Sequence, residues 1–283
     1  MNPDPRMQQL TCLAEVIEAQ AYISTFASIP ASLAERYQIQ AHIVGSSVAL
    51  VMARLSFASV ETHRVLALGA CEPATQETVD SLFELYARLG AYFYVQITPY
   101  AQPEDLEGWI RARGMRRGPT GYVYVKDATT PVTLRARPQL RVVQVGEQRA
   151  EATQYADGIV AGFGIDGRLD TDLWIAFHQA TIGHPNWRHY VLYDETFHHS
   201  NPIAFGSMFM QPPIAYLFAT STLREARGRG AHQALIIRRV QDAIAAGCMF
   251  VTAETADDAS KHSLEKAGFY LAYPRFSYEA EPS

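Results

Sequence analysis

Apolar and polar positions alternate over Gln139-Leu-Arg-Val-Val-Gln-Val145, the period of an opening strand. Residues 148 to 162 and 171 to 182 read as helices. Three runs rich in aromatic and β-branched residues follow, His189 to Tyr193, Pro202 to Met210 and Ile214 to Thr222, separated by Asp/Asn and Pro-Pro turn signals; they predict an antiparallel meander. From Ala231 to Ala246, Leu235, Ile236, Val240 and Ile244 fall near helical spacing, with Gly247 placed as a left-handed C-cap. A short strand from Met249 to Ala253, a helix from about Asp257 to Ala267 stopped by Gly268, and a final strand from Tyr270 to Glu279 complete a mixed α/β half.

The first half echoes this ending. Leu82 to Leu89 reads as a helix stopped by Gly90, followed by a strand from Tyr92 to Ile97, a helix from Pro103 to Arg113, Gly114-Met115 and a strand near Tyr122. Gly114-Met115 aligns on Gly268-Phe269 at an offset of 154 residues and Gly90 on Gly247 at 157, a difference one loop absorbs. This predicts a tandem duplication, against the plainer reading that helix, glycine and strand recur in any α/β protein. Between the halves, Asp127 to Arg137 is short of large apolar residues, carries Pro131 and runs into Pro138, which places a boundary near residue 130.

A length of 283 residues suits two domains, each with its own core. With 48% apolar and 19% charged residues, a packed globular protein is expected. The net charge of −5, without long blocks of one sign, offers no footprint for nucleic acid. A polar N-terminus and no apolar run of about 20 residues lead to the expectation of a cytoplasmic protein with no membrane partner. Cys12, Cys71 and Cys248 are odd in number and widely spaced, and read as buried thiols rather than a disulfide framework or metal site.

The chemistry is expected at Thr222-Leu-Arg-Glu-Ala-Arg-Gly-Arg-Gly-Ala-His-Gln-Ala-Leu235, which follows a strand and opens a helix. Such a turn leaves backbone N–H groups unpaired at the positive end of a helix dipole, and glycines let a pyrophosphate approach. Arg227 and Arg229 add charge. The bland alternative is a βα turn with solvated arginines.

From about 214 to 272 the chain resembles the GNAT superfamily of acyl-CoA N-acyltransferases. The family pattern Arg/Gln-x-x-Gly-x-Gly/Ala falls on Arg227, Gly230 and His232, the last a departure. A second family segment lies on Asp257 to Phe269, where Ser260, Lys266, Gly268 and Phe269 agree. The resemblance implies two tandem domains, each a mostly antiparallel splayed sheet flanked by helices: a degenerate one over 1–130 without a phosphate loop, and a catalytic one over 138–283. It implies that acetyl-CoA or a short acyl-CoA is the donor, held by Arg227, Gly228, Arg229, Gly230, Ala231 and His232. Thr220, Ser221 and Thr222 would offer backbone hydrogen bonds to pantetheine, and Asp257 and Ser260 would lie near the pantetheine or adenosine arm. The acceptor would be a primary amine of a small molecule, and no metal is called for.

The tyrosine acid common in the family is replaced by Leu264, so His262, Ser263 or Tyr270 would substitute, or the thiolate would leave unaided, as a thiol pKa of about 8.5 permits. Glu254, past the strand that follows the loop, is the candidate base; its alternative is an exposed carboxylate at a strand end. Tyr216 and Phe218 read as core or cleft walls, His178 as a packed helix histidine, and His198-His199 as a solvated loop. Phe163, Trp174, Phe177, Tyr270 and Tyr273 suggest an aromatic acceptor pocket. The competing reading is a non-catalytic acyl-CoA sensor or interaction module, and monomer and homodimer both stay open.

Overall fold

A computed structural model of the chain describes residues 4–55, 61–130, 132, 137–165, 170–197 and 201–280. Two compact units emerge: residues 1–123 with 272–283, and residues 124–271. Among the described residues the elements run α1 (Pro5–Ser28), α2 (Ala31–Tyr37), β1 (Ile39–Val44), β2 (Ser47–Met52), β3 (Arg64–Leu66), α3 (Gln76–Leu89), β4 (Tyr94–Ile97), α4 (Leu106–Ala112) and β5 (Met115–Asp127). They continue with β6 (Leu140–Gln144), α5 (Arg149–Phe163), α6 (Thr171–Gln179), β7 (Trp187–Asp194), β8 (Ala204–Gln211), β9 (Ile214–Tyr216), β10 (Thr220–Thr222), α7 (Ala231–Ala245), β11 (Phe250–Thr255), α8 (Asp258–Lys266) and β12 (Tyr270–Ala280). This is a mixed α/β fold with mostly antiparallel strand pairing, as the sequence led us to expect.

In the first unit β1, β2, β3, β4 and β12 are successive neighbours. Pairing is antiparallel except between β3 and β4, the one parallel pair, whose crossover is α3. One face is covered by α3 and α4, whose Val79, Leu82, Leu85, Leu106 and Ile110 pack with Ala49, Val65, Val95 and Ile97. Helix α1 buries a polar network instead. Glu15 accepts hydrogen bonds from Tyr273 (2.8 Å) and Arg275 (2.6 Å), while Glu18 pairs with Arg64 and Arg275, both at 2.7 Å. All four charged side chains are at most 1% exposed.

The compact units differ from the expected spans 1–130 and 138–283. The second begins at Tyr124, and residues from Ala272 onward count with the first. There Phe276 to Glu279 pair with Ile97 to Tyr94, and Tyr273 and Arg275 find their partners on α1. Cysteine chemistry also departs from expectation. Cys12 on α1 and Cys71 after β3 form a disulfide, because the fold brings their Cα atoms to 4.8 Å. Cys248 alone stays a free, buried thiol.

In the second unit β6, β7, β8 and β9 form the expected antiparallel meander, and β9 pairs in parallel with β11 across α7. The opposite faces of β8 receive different helices. A Cβ on Gly158 of α5 would lie 2.0 Å from the Phe205 ring, and one on Gly206 would lie 3.2 Å from the Arg239 guanidinium of α7. Adjacent strand residues point to opposite faces, so α5 and α7 sandwich the sheet, each admitted by a glycine.

Candidate functional site

The run Ile214 to Thr222, expected as one strand, is broken. β9 runs beside β11 only as far as Tyr216, opposite Thr252, with one last bond from the Leu217 N–H to the Thr252 carbonyl (2.8 Å). β10 then pairs with β8 alone. Ala219, held at a φ of 24°, marks the bulge between them. Beyond it β10 and the end of β11, which carries Glu254, part company, so a wedge opens between strands that were neighbours one turn earlier.

The bulge orients the backbone at the wedge. The Ser207 N–H of β8 donates to the carbonyls of both Phe218 (3.3 Å) and Ala219 (3.1 Å). Planar trans peptides that turn two successive carbonyls toward β8 turn the N–H groups of Ala219 and Thr220 away from it, toward the wedge. Leu223 donates to Ile203 (3.0 Å), so by antiparallel alternation Thr222 also turns its backbone outward while Ser221 turns its own toward β8. Of the three expected backbone contacts, Thr220 and Thr222 therefore face the wedge. Ser221 is buried and donates its hydroxyl to the Ile159 carbonyl at 3.0 Å.

At the mouth of the wedge lies the loop singled out from its glycines. After a short 3-10 turn, Arg224–Ala226, Gly228 and Gly230 adopt φ values of 79° and 87° and α7 starts at Ala231. No side chain caps α7 and its first turn carries no acid, so the leading N–H groups at the positive dipole end remain available to an anion. Two positive-φ residues flanking Arg229 shape a concave run of backbone amides. The arginines are tethered, although Arg227 is exposed. Arg227 reaches the carbonyls of Gly162 (3.3 Å) and Thr222 (3.4 Å), and Arg229 pairs with Asp194 (2.7 Å) and lies over the Phe197 ring. Burial opposes the charge on Asp194, but hydrogen bonds from Thr196 and Arg229 hold its carboxyl down at about 2. Arg137, which the sequence did not single out, donates to the Arg229 carbonyl at 3.0 Å and lies beside Gly230.

His232 stands in the first turn of α7. Burial, reinforced by the nearby Arg239 charge and opposed by Asp257, pushes its imidazole down to about 4, so it is neutral at pH 7. Asp257 caps α8 through the Ser260 N–H (2.8 Å), which brings these two candidates together at the helix start. Leu264 is the buried residue of α8, while the Ser263 hydroxyl turns back onto the Ala259 carbonyl. Tyr270 is 46% exposed at the start of β12, and Glu254 is half-buried.

Along α6, Phe177 stacks on Phe218 and contacts Trp174 and His178; Trp187 of β7 meets Phe218 edge-on. Tyr216 and Phe218 are both buried and in edge contact, within the expected reading as core or cleft wall. Burial holds His178 down at about 3, a neutral packed imidazole. Phe163 keeps an exposed ring that stacks on His178, whereas Tyr273 does not join this wall: it belongs to the first unit, bonded to Glu15. His198 and His199 lie outside the described residues.

The first unit carries a closed counterpart of the loop. Between β3 and α3, the Gln102 N–H donates to the Gly69 carbonyl and the Ala74 N–H to the Gln102 carbonyl, both at 2.8 Å. The start of α3 is capped by Thr75 through the Thr78 N–H and holds Glu77 in its first turn. One of its leading amides is capped and an acid sits in its first turn, the reverse of α7. Among the described residues there is no group of three or more His, Cys, Asp or Glu arranged to hold a metal, and no helix long and apolar enough to cross a membrane.

Comparison with known proteins agrees with this geometry. Residues 159–269 match the model of the acetyltransferase (GNAT) family. No curated protein sequence matches. Among solved structures, a GCN5-related N-acetyltransferase from Kribbella flavida superposes with a TM-score of 0.63 at 11% identity, over 92% of this chain and 96% of that one. A tandem GNAT protein from the clavulanic acid biosynthesis pathway gives 0.55 at 16% identity, over 78% and 75%. The C-terminal domain of a putative lysylphosphatidylglycerol synthetase from Agrobacterium fabrum gives 0.53 at 14%, over 96% and 93%. Identities this low speak for the fold alone. The splayed strands and open glycine loop lie inside the segment, residues 159–269, that matches the GNAT acetyltransferase family.

Proposed function

We propose that the second unit transfers an acetyl or other short acyl group from acyl-CoA to a primary amine of a small molecule. The observation that carries this reading is the uncapped start of α7, beside a wedge into which the Ala219 and Thr220 N–H groups turn. Arg227, Gly228, Arg229, Gly230, Ala231 and His232 would cradle the diphosphate, the Thr220 carbonyl and the Thr222 backbone would bond the pantetheine arm, and Asp257 and Ser260 would lie near the pantetheine or adenosine arm. The Ala219 and Thr220 N–H groups, fixed before substrate arrives, suit the oxyanion that forms when a neutral amine attacks the thioester carbonyl. Glu254 would take the proton released by the amine. The C–S bond would then break and the thiolate leave, with Tyr270 as its proton donor or without a dedicated acid. The first unit, with its closed loop, would be a degenerate copy without a cofactor.

A non-catalytic acyl-CoA-binding module is the second reading, favoured by the buried, aprotic Leu264. A thiol-release assay with acetyl-CoA and a panel of small primary amines separates the two: acceptor-dependent CoA release supports transfer, and binding without release supports the module. Glu254→Gln is expected to lower kcat about 100-fold and abolish the acidic limb of its pH profile; an unchanged profile removes Glu254 as the base.

His232 makes binding pH-dependent. Its imidazole is neutral because it is held at about 4, and an adjoining diphosphate favours the charged form. Acetyl-CoA binding should therefore take up a proton and tighten as pH falls from about 7 toward 5. Calorimetry in buffers of different ionisation enthalpy should register that uptake and lose it in His232→Ala; equal uptake in both proteins would exclude His232 as its source.

A further inference from the structure

A buried cation outside the loop bonds the bulge beside the wedge. Arg239, on the third turn of α7, is 0% exposed, and among the described residues every hydrogen bond it makes goes to a neutral acceptor. Its Nε donates to the Leu235 carbonyl (3.1 Å), one terminal nitrogen to the carbonyls of Ser207 (2.9 Å) and Phe218 (3.3 Å), and the other to the Thr220 hydroxyl (2.8 Å). Burial holds the guanidinium down at about 10, so it stays charged at neutral pH. A charge buried, as here, with no counter-ion among the described residues is a poor device for stability, since an apolar side chain of similar volume packs without the desolvation cost. What this one does is specific: it grips β8 and the bulge on both sides of the Phe218–Ala219 peptide, and Gly206 supplies the room it needs.

We propose that Arg239 is a positioning residue for the acyl-transfer step, fixing the bulge so that the Ala219 and Thr220 N–H groups hold the developing oxyanion. The proposal rests on the acyl-transfer reading. Three donors converge on the Phe218 carbonyl: the Ser207 N–H (3.3 Å), the Ser207 hydroxyl (3.4 Å) and Arg239 (3.3 Å). The peptide that carries this carbonyl also carries the Ala219 N–H on its opposite side. Donation to one end of an amide strengthens the donor at the other, so Arg239 both aims the N–H and polarises it. The diphosphate loop begins two turns away along α7 and receives no hydrogen bond from the guanidinium, although the charge on Arg239 does reach His232.

The test compares wild type with Arg239→Lys, Arg239→Met and Thr220→Val, the last removing one acceptor while leaving the arginine in place. Two readouts are taken: amide hydrogen exchange in the ligand-free protein, and steady-state kinetics with acetyl-CoA. In the arginine variants the Ser207 amide should exchange about 10-fold faster or more, while amides of α5 and the β6–β7 ladder keep their protection. Their kcat should fall about 100-fold, the scale of losing an oxyanion donor, with the KM for acetyl-CoA within about threefold of wild type. Thr220→Val should shift both readouts in the same direction and by less. Unchanged Ser207 exchange, or protection lost uniformly through the unit, overturns the proposal, as does a fall in kcat matched by an equal loss of CoA affinity. If the wild type transfers no acyl group, the catalytic half falls with the acyl-transfer reading, and Ser207 exchange still reports whether Arg239 holds the bulge.

Discussion

Replacing Gly230 by glutamate is expected to weaken acetyl-CoA binding at least 100-fold while the protein stays folded. The residue sits at a φ of 87°, which an L side chain adopts at a cost of about 1–2 kcal/mol. That strain is small against the 5–15 kcal/mol that holds an ordinary domain together. A Cβ there would meet the Arg137 side chain at 3.1 Å, a flexible group on an exposed residue. The glutamate carboxylate would then occupy the anion position at the start of α7 and take Arg137 as its own partner, so the diphosphate loses both the dipole end and a neighbouring cation. Titration calorimetry and a circular dichroism spectrum of the same sample check this. Undiminished affinity in a folded variant would remove the phosphate-loop assignment.

Replacing Arg275 by alanine is expected to destabilise the first unit by about 3–5 kcal/mol, the range for a buried pair that loses one member. Arg275 bonds both Glu15 and Glu18, and all three are at most 1% exposed. Without it two carboxylates share the Arg64 side with no other cation bonded to Glu15. Arg116→Ala is the control: its pair with Glu279 spans 3.5 Å on a half-exposed arginine and should matter by less than about 1 kcal/mol. Urea denaturation, with hydrogen exchange in α1 and β4 as the local report, distinguishes them. Equal midpoints for the two variants would show that the buried network contributes no more than a surface pair.

The second unit was readable because its signals are local. The opening strand carries its own alternation, the later strands their own aromatic and β-branched runs, and the loop its own glycines followed at once by helical spacing. The break at Ala219 was not readable. The residues either side look like continuous strand, and what interrupts them is a bulge held by Ser207 and Arg239, eleven to twenty-one residues away. Arg239 itself looks like one of two polar residues on a helix, Arg238-Arg239; the trace it leaves is Gly206 in mid-strand, a position that signals close approach without saying of what.

The first unit hid more. α1 is a 24-residue helix whose buried face carries Glu15 and Glu18 among Ala14, Ile17 and Tyr22, so no apolar stripe marks it. The carboxylates are tolerable there only because Arg64, Tyr273 and Arg275 come from distant segments. The same distance conceals the Cys12–Cys71 bond, across 59 residues, and the placement of the last strand, since alternation says that a strand has a buried face and not which neighbour it joins.

The most direct measurement is titration of the wild-type protein with acetyl-CoA by calorimetry. Saturable one-to-one binding that weakens as salt is raised, as expected for a diphosphate held by a helix start and nearby arginines, is the predicted result. Absence of binding at millimolar acetyl-CoA would contradict the account at its centre, leaving a GNAT fold whose open loop serves another anion.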